Sequence, residues 1–391
     1  VHGPVFVRAL VKGKPVAFVK ERFFWKREID SVPQFAKWNI QVDSIEDFQA
    51  AARDFTMSFN SFYADAQDIG YFHVGFYPKR ARGAHPSLPT WGTGRWEWQG
   101  RRPFSQQPHL INPDQGWVAN WNNKPAVGWS NNDSAKWGSV QRVELLEDKM
   151  KRLLRGPGKA TLSELVDVIR ESATQDTRGV YLGSKMVRVA GRATADKKYR
   201  DALALVRKWV SNGSHRANKD DDDVMDNGAA LAIFDEWYDQ LVHEVFDDEV
   251  GPKGYDLIAP ITDYRPTGGS SFFFDFSSYL RNLFNAKARR SYARNYCDDL
   301  GTKSRRESCN QLVIAALRKA LKKLEKEQGV DMAQWKTPRE DIVFQALGGG
   351  SVPPIPWQNR GTHNHVVEIL SDAGPITTTP APGPSPSDTG R

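Results

Sequence analysis

The sequence contains no apolar run approaching the about 20 residues that a membrane-spanning helix requires, so we expect no membrane partner. Cysteine is scarce: only Cys297 and Cys309 occur, without the CxxC spacing of a zinc site. His73, His85, His109, His363 and His365 show no zinc-ligand spacing on a predicted helix, and no glycine-rich loop fits the P-loop pattern. These absences argue against thiolate-zinc and P-loop nucleotide-binding proteins.

The two cysteines bracket a short loop, and they form either a local disulfide or two free thiols. A bridge between Cys297 and Cys309 would restrain the unfolded chain by about 3 kcal/mol in the loop-entropy model. Disulfides persist in oxidising compartments, so a bridge would be consistent with an exported protein.

The net charge of +7 raises the question of nucleic-acid binding. The basic run near residues 318–326 alternates with leucines at helical spacing, which is typical of a solvated helix face. We therefore expect no nucleic-acid partner. A nucleic-acid-binding protein stays an alternative that a salt-dependent DNA affinity would favour.

The hydrophobic patterns divide the 391 residues into an N-terminal mixed part and a helical part. Strands are expected over 1–42, a helix capped at Ser44 through about Phe55, and a hairpin of strands 59–66 and 69–76. Residues 78–142 are rich in Trp, Gly, Pro and Asn with little periodicity, and such long irregular segments are usually functional.

Apolar residues recur at helical spacing from 142 to about 250, and again at 278–292 and 309–327. Strand character returns at 342–344 and 365–370. We predict an α+β protein with a mixed domain over 1–144, a helical subdomain over 145–330, a return to the first domain over 331–372, and a disordered Pro/Thr/Ser-rich tail over 373–391.

The segment GWVANWNNKP at 116–125 carries the strongest chemical signal. A paired Asn122 and Asn123 between tryptophans and a proline forms an Asn-rich turn. An amide that Trp117, Trp121 and Trp129 shield from water could also hold a developing oxyanion.

Four further motifs occur in order along the chain: HGP at 2–4, DIGYFHVGFYP at 68–78, GTGRWEWQG at 92–100 and NRGTHN at 359–364. Together with the Asn pair, they resemble the penicillin acylase (penicillin amidase) family of N-terminal-nucleophile hydrolases. The resemblance implies part of an αββα sandwich with an inserted helical subdomain. It also implies hydrolysis of a linear amide, such as a β-lactam side chain or an acyl-homoserine lactone, through an acyl-enzyme.

In the family the nucleophile is the first residue of the large chain, usually Ser, and autoproteolysis of a zymogen frees it. Since the chain printed here begins at Val1, we expect the nucleophile to be absent and this fragment alone to be inactive. The implied partners are the small (α) chain, the missing N-terminal part of the large (β) chain and a small acyl-amide substrate.

The resemblance also implies roles for individual residues. Asn122 falls on the family's side-chain oxyanion donor, and Arg142 on an arginine that orders the nucleophile's surroundings. Asp133 falls on a ligand of a structural Ca²⁺, helped by the Pro86 carbonyl. The family's usual export implies a periplasmic or secreted location.

An acidic run offers a second candidate for Ca²⁺. Asn218, Asp220 and Asp222 place oxygens at alternate positions, as in the first half of a calcium loop, but Asp223 replaces the turn glycine. A solvated acidic loop is the alternative. For the whole chain the alternatives are a degenerate acylase copy or a non-catalytic carbohydrate-binding protein, whose tryptophans would stack on sugars: Trp91, Trp96, Trp98, Trp117, Trp121 and Trp129.

Overall fold

The structure is a computed structural model that describes residues 2–131, 137–138, 140–156, 159–193, 195–258, 277–292, 295–298, 307–343, 353–359 and 366–369. The chain divides into two compact units whose main segments are Val1–Val143 and Glu144–Val367. We call them the N-terminal unit and the helical unit. The proposed tail over 373–391 lies outside the described residues.

The N-terminal unit begins with an antiparallel hairpin of β1 (Val5–Val11) and β2 (Lys14–Val19). Its two-residue turn places Lys12 at φ 50° and Gly13 at φ 76°. Positive φ at both positions matches the right-handed twist of the strands, which makes the tight turn favourable. The strands expected near residues 5–19 are therefore confirmed.

Residues 32–40 correct the expectation of strands throughout 1–42, because they form helix α1 (Val32–Ile40), with a proline in its first turn. The aromatic residues of this helix instead pack against neighbouring rings. Trp38 stacks on Phe48 at 4.5 Å and on Phe55 at 4.2 Å between ring centroids. Burial of these rings in tertiary contacts outweighs local strand propensity.

Helix α2 (Ile45–Ala52) begins where predicted and ends three residues earlier than Phe55. The Ser44 hydroxyl accepts a 3.1 Å hydrogen bond from the Asp47 amide, which satisfies one of the unpaired N–H groups of the first turn. The apolar face of α2 joins a small core with two residues of the neighbouring strand, Phe72 and Val74.

A three-stranded sheet follows, with the order β3 (Phe59–Ala64), β4 (Ile69–Val74), β5 (His109–Ile111). The predicted hairpin is confirmed, and its antiparallel register pairs Asn60 with His73. Central strand β4 is buried on both faces: Phe72 and Val74 face the core with α2, while Tyr71 and His73 alternate with them. This register brings polar side chains together beneath the irregular segment that follows β5.

The helical unit confirms the periodicity seen from residue 142 onward. Its first helices are α3 (Val140–Leu153), α4 (Leu162–Thr174), α5 (Ser184–Gly191), α6 (Lys197–Ser211) and α7 (Gly228–Ile258). The next are α8 (Ser277–Leu283), α9 (Ala286–Arg289) and α10 (Cys309–Gln328). Helix α7 is interrupted at Gly251, whose φ of 68° and ψ of 163° are not helical.

Helices α7 and α10 form the centre of the helical core. Trp237 and Val313 are fully buried, and the Trp237 indole N–H donates to the Val313 carbonyl at 2.8 Å. Further along α10, the more exposed Lys323 pairs with Glu236 of α7 at 2.6 Å. The basic residues of α10 thus lie on the polar face of an amphipathic helix, as predicted.

Beside this core lies a buried ion-pair network. Arg178 and Arg216 are both buried, and each contacts Asp176 and Asp235. Arg216 also reaches Glu340 at 3.1 Å. Buried guanidinium groups need such paired carboxylates, because an isolated buried charge is costly.

The last paired strands are β6 (Asp341–Ile342) and β7 (Ile355–Pro356). The strand expected at 365–370 is wrong for residues 366–369, which are not in a strand. β-branched residues become a strand only when a neighbouring strand supplies ladder hydrogen bonds and side-chain packing. Helices and sheets together confirm the α+β class.

Candidate active site

The Asn-rich segment 116–125 forms a mostly half-buried loop in which Asn122 is exposed and adopts a left-handed backbone, with φ 58°. Asparagine tolerates this conformation better than most residues. The Asn122 carbonyl accepts a 2.8 Å hydrogen bond from the Gly138 amide. A Cβ at Gly138 would lie 2.7 Å from that carbonyl oxygen, so the close approach requires glycine.

Asparagine side chains brace the loop from within. Asn120 Oδ1 accepts from the Asn122 amide at 2.8 Å, and Asn123 Oδ1 accepts from the Trp121 amide at 2.9 Å. These are local Asx-type hydrogen bonds, which hold a turn without a strand partner. Asn123 therefore stabilises the loop.

A group of polar residues on β3 and β4 supports the loop from below. Asn60 Nδ2 donates to Asn120 Oδ1 at 3.0 Å. Asn60 Oδ1 accepts from the Tyr71 hydroxyl at 2.6 Å and pairs with His73 Nδ1 at 2.8 Å. Sequence reasoning missed Asn60; combining the predicted hairpin with its register would have placed it opposite His73.

His73 is almost completely buried, at 1% exposure. Burial lowers its pKa to about 3, so the imidazole is neutral near pH 7. Its Nε2 contacts the Tyr77 hydroxyl, and Trp129 and Trp137 lie edge-on to the ring. Burial also raises the pKa of Tyr71, which keeps the phenol protonated. These contacts give His73 a structural role, because its two ring nitrogens contact Asn60 and Tyr77.

Arg142 lies fully buried in the first turn of α3. Its Nη2 donates to the Trp121 carbonyl at 3.0 Å, and the guanidinium carbon lies 5.4 Å from the centre of the Trp121 ring. Arg142 thus contacts the residue that immediately precedes Asn122.

The tryptophans do not enclose Asn122 in this chain, contrary to the expectation of a water-shielded amide. Asn122 is exposed, whereas Trp117 and Trp121 are half-buried and Trp129 is buried. Trp129 packs against Tyr77 at 4.9 Å. The indoles pack against neighbouring residues of the unit, and the Asn122 side chain is exposed.

Other tryptophans of the segment also make separate local contacts. Trp98 lies edge-on to Phe23 at 5.2 Å, and Arg95 lies 4.8 Å over the ring of Trp96. Trp91 is 62% exposed. Sugar binding by stacking needs aromatic faces that are presented together, whereas the rings of Trp96 and Trp98 contact different partners, Arg95 and Phe23.

The first candidate Ca²⁺ site falls partly outside the described residues. Asp133 lies outside the described residues, and Pro86 is exposed. Among the residues that the structure describes, no three His, Cys, Asp or Glu side chains form a group able to hold a metal ion.

In the acidic loop, local hydrogen bonds engage Asn218 and Asp222, two residues of the second candidate Ca²⁺ site. Asn218 Nδ2 donates to the Asp222 carbonyl at 2.6 Å, and Asp222 Oδ1 accepts from the Val224 amide at 3.0 Å. Arg339 pairs with the intervening Asp221 at 2.5 Å, which adds positive charge beside this loop.

Cys297 and Cys309 form a disulfide with an S–S distance of 2.08 Å. Both residues are buried, and Cys309 is the first residue of α10. No helix in the described ranges has the length and apolar character needed to cross a membrane.

A family model for penicillin amidase matches residues 1–382. Penicillin G acylase of Escherichia coli is 28% identical over 373 residues, which cover 90% of this chain and 42% of that protein. Acyl-homoserine lactone acylase QuiP of Pseudomonas fluorescens is 27% identical over 218 residues, covering 54% of this chain and 26% of that protein.

Among solved structures, a thermostable penicillin G acylase from Alcaligenes faecalis has a similar fold, with a TM-score of 0.78 at 24% identity. The match covers 95% of this chain and 66% of that chain. This chain therefore spans less than half the length of the two curated relatives described above.

Proposed function

Because this chain belongs to the penicillin amidase family, we propose that it is part of an amidohydrolase that cleaves a linear amide through an acyl-enzyme. The observation that carries the proposal is the exposed Asn122 amide, presented at the tip of a loop whose backbone is held on both sides. A side-chain N–H donor whose position is set before the reaction stabilises a developing oxyanion, because the donor need not move when the charge forms.

In this proposal Asn122 Nδ2 donates to the oxygen of the tetrahedral intermediate. Attack comes from the N-terminal Ser nucleophile of the complete enzyme. The α-amino group of that Ser takes the proton through water, so no histidine base is needed. Arg142 orders the segment before Asn122 through its bond to the Trp121 carbonyl.

The substrate is a small acyl-amide: the acyl side chain of a β-lactam, an acyl-homoserine lactone or a related compound. The support comes from relatives named penicillin G acylase and acyl-homoserine lactone acylase. The acyl pocket is formed mainly by the remainder of the protein, so this chain holds the oxyanion donor and its scaffold.

The proposed partners are the small chain, released from the same autoproteolytic precursor, and the N-terminal part of the large chain. The N-terminal hairpin supports this proposal, because Phe6 is 65% and Leu10 is 72% exposed. Apolar side chains presented together on a surface mark an interaction site. Neither a nucleic acid nor a membrane is a proposed partner.

A structural Ca²⁺ is proposed at Asp133 and the Pro86 carbonyl, because carboxylate and carbonyl oxygens are the hard ligands that this ion prefers. Chelation should lower the melting temperature of the complete enzyme, and Asp133→Ala should abolish most of that sensitivity. Asp220→Ala/Asp222→Ala serves as the parallel variant. If that variant alone loses the response, the metal lies in the acidic loop.

A periplasmic or secreted location is also proposed. The Cys297–Cys309 disulfide supports it, since structural disulfides are maintained in oxidising compartments. Fractionation of the producing cell, with detection of this chain, would test the location.

The decisive experiment is amide hydrolysis by the complete precursor carrying Asn122→Ala. Loss of one oxyanion donor should raise the barrier by about 2.7–4 kcal/mol, which lowers kcat about 10²–10³-fold. Maturation, followed by the size of the processed chains, should be retained. Asn39→Ala, on the exposed side of α1, is the matched control.

The chain printed here, assayed alone, should hydrolyse no amide. Equal rates for the Asn122 variant and the wild type would contradict the assignment.

A further inference from the structure

The exposed Asn122 is connected to the buried sheet by a continuous chain of hydrogen bonds. It runs from His73 to Asn60, from Asn60 to Asn120, and from Asn120 to the Asn122 amide. None of these links is longer than 3.0 Å. The Asn122 backbone is thereby attached to two paired strands of the N-terminal unit, β3 and β4.

The direction of each bond follows from its donors and acceptors. Tyr71 donates its hydroxyl hydrogen to Asn60 Oδ1, and neutral His73 donates from Nδ1 to the same oxygen. The Asn60 amide is therefore oriented with Nδ2 toward Asn120. Asn120 Oδ1 in turn accepts two hydrogens, one from Asn60 Nδ2 and one from the Asn122 backbone.

A second fixed point lies on the other side of Asn122, where its carbonyl accepts from Gly138 at 2.8 Å. The peptide groups before and after the Asn122 Cα are therefore both anchored, and the left-handed φ of 58° is maintained. Only the side-chain torsions remain to place Nδ2. Catalytic groups must be placed closely, since a displacement of about 1 Å can cost on the order of 10²-fold in rate.

We propose that Asn60 and Asn120 are positioning residues for the reaction: they hold the Asn122 backbone so that its side-chain amide meets the oxyanion. This inference rests on the proposed function of Asn122. Neither residue contacts the reacting atoms, and their effect should be transmitted through Asn120 Oδ1.

Asn60→Asp tests the transmission with almost no change in volume. The carboxylate still accepts from Tyr71 and His73, but it has no hydrogen to offer Asn120. Either the two oxygens repel each other, or the Asn120 amide turns and presents its NH₂ group to the Asn122 N–H. In either case the Asn122 backbone loses its hydrogen bond to Asn120 Oδ1.

Asn120 offers a matched pair of variants. Asn120→Ala removes the acceptor, whereas Asn120→Asp keeps an oxygen that accepts from both Asn60 and the Asn122 amide. If Asn120 had only a structural role, the loss of kcat in each variant would follow its loss of stability. A positioning role predicts that the aspartate variant restores the rate that the alanine variant loses.

The experiment measures kcat, KM and melting temperature of the complete matured enzyme with a chromogenic acyl-amide. Asn60→Asp and Asn120→Ala should each lower kcat at least about tenfold with KM nearly unchanged, as expected for an interaction realised in the transition state. Asn120→Asp should stay within a few-fold of the wild type.

The double variant Asn60→Asp/Asn120→Ala should be no slower than Asn120→Ala, since both act through one link. Asn39→Asp controls for the added charge.

The outcomes separate the two levels of the proposal. If Asn122→Ala leaves kcat unchanged, the proposed oxyanion role fails. If Asn122→Ala is slow but Asn120→Ala keeps the wild-type kcat, the positioning inference alone fails. Equal kcat losses in Asn120→Ala and Asn120→Asp, or additive losses in the double variant, also overturn it. If Asn60→Asp does not mature, the Asn120 pair still decides.

Discussion

The two units of this chain are stabilised in different ways. The helical unit buries an extended apolar core around Trp237 and Val313 and encloses an ion-pair network. The N-terminal unit has a small aromatic core beside α2 and β4, while its first hairpin exposes Phe6 and Leu10. The comparison shows that apolar packing and buried ion pairs stabilise the helical unit, whereas hydrogen bonds among polar side chains and backbone hold the Asn122 loop of the N-terminal unit.

The largest stability effect should come from the buried ions of the helical unit. Asp176→Ala breaks the buried ion pairs of Asp176 with Arg178 and Arg216 and leaves the two guanidinium groups only Asp235 and Glu340 as partners, which should cost about 3–5 kcal/mol of unfolding free energy. Asp167→Ala removes an exposed 3.8 Å pair with Arg170 and should cost less than about 1 kcal/mol. Urea denaturation followed by circular dichroism would measure both. Similar costs for the two variants would contradict the contrast between buried and exposed pairs.

The disulfide should rank next. Its two cysteines are 12 residues apart, and the loop-entropy model gives about 3 kcal/mol for closing so short a loop. Cys297→Ser/Cys309→Ser should therefore lower the urea midpoint, and a reductant should shift the wild type similarly. Alkylation under denaturing conditions, with mass measurement, checks that the bridge is present before reduction. A reductant that shifts the serine variant equally would point to a different cause.

Lowering the pH should destabilise the two units over different pH ranges, because the pKa values of His73 in the N-terminal unit and Asp235 in the helical unit differ. Burial lowers the pKa of His73 from 6.5 to about 3, so the folded state excludes a proton that the unfolded state binds. The stability of the N-terminal unit should thus fall by about 1.4 kcal/mol per pH unit as pH drops below 6.5, until about pH 3.

The helical unit should respond only at lower pH. Burial would raise the pKa of Asp235, but Arg216 and Arg178 outweigh it and lower the pKa from 3.8 to about 2. Its contribution is present above pH 3.8 and is lost toward pH 2. Hydrogen exchange between pH 6.5 and 4 should show opening of β3 and β4 first. His73→Gln should flatten this dependence; an unchanged pH slope would exclude His73 as its source.

Helix caps should give the smallest and most equal effects. Ser44 caps α2 in the N-terminal unit, and Thr161 caps α4 through a capping box with Glu164. Each change to alanine should cost about 1 kcal/mol, because one first-turn amide loses its acceptor. Thermal melts of the two variants would test this. A much larger loss at Ser44 would mean that the N-terminal unit depends on α2 more than its local bonds indicate.

Local patterns predicted several elements well. The hairpin β3–β4, the cap at Ser44 and the amphipathic helix α10 depend on short-range turn, capping and periodicity signals. The same signals failed for α1 and for residues 366–369, because aromatic and β-branched residues accept more than one backbone conformation. Their neighbours in space decide which conformation is stable.

The sequence by itself determined the α+β class and drew attention to Asn122 and Arg142. Only the tertiary structure decided that Asn122 is exposed and that Asn60, 62 residues earlier, supports it through Asn120. The physical reason is that hydrogen bonds between side chains on different strands depend on register and distance. A linear pattern contains neither until the strands are paired.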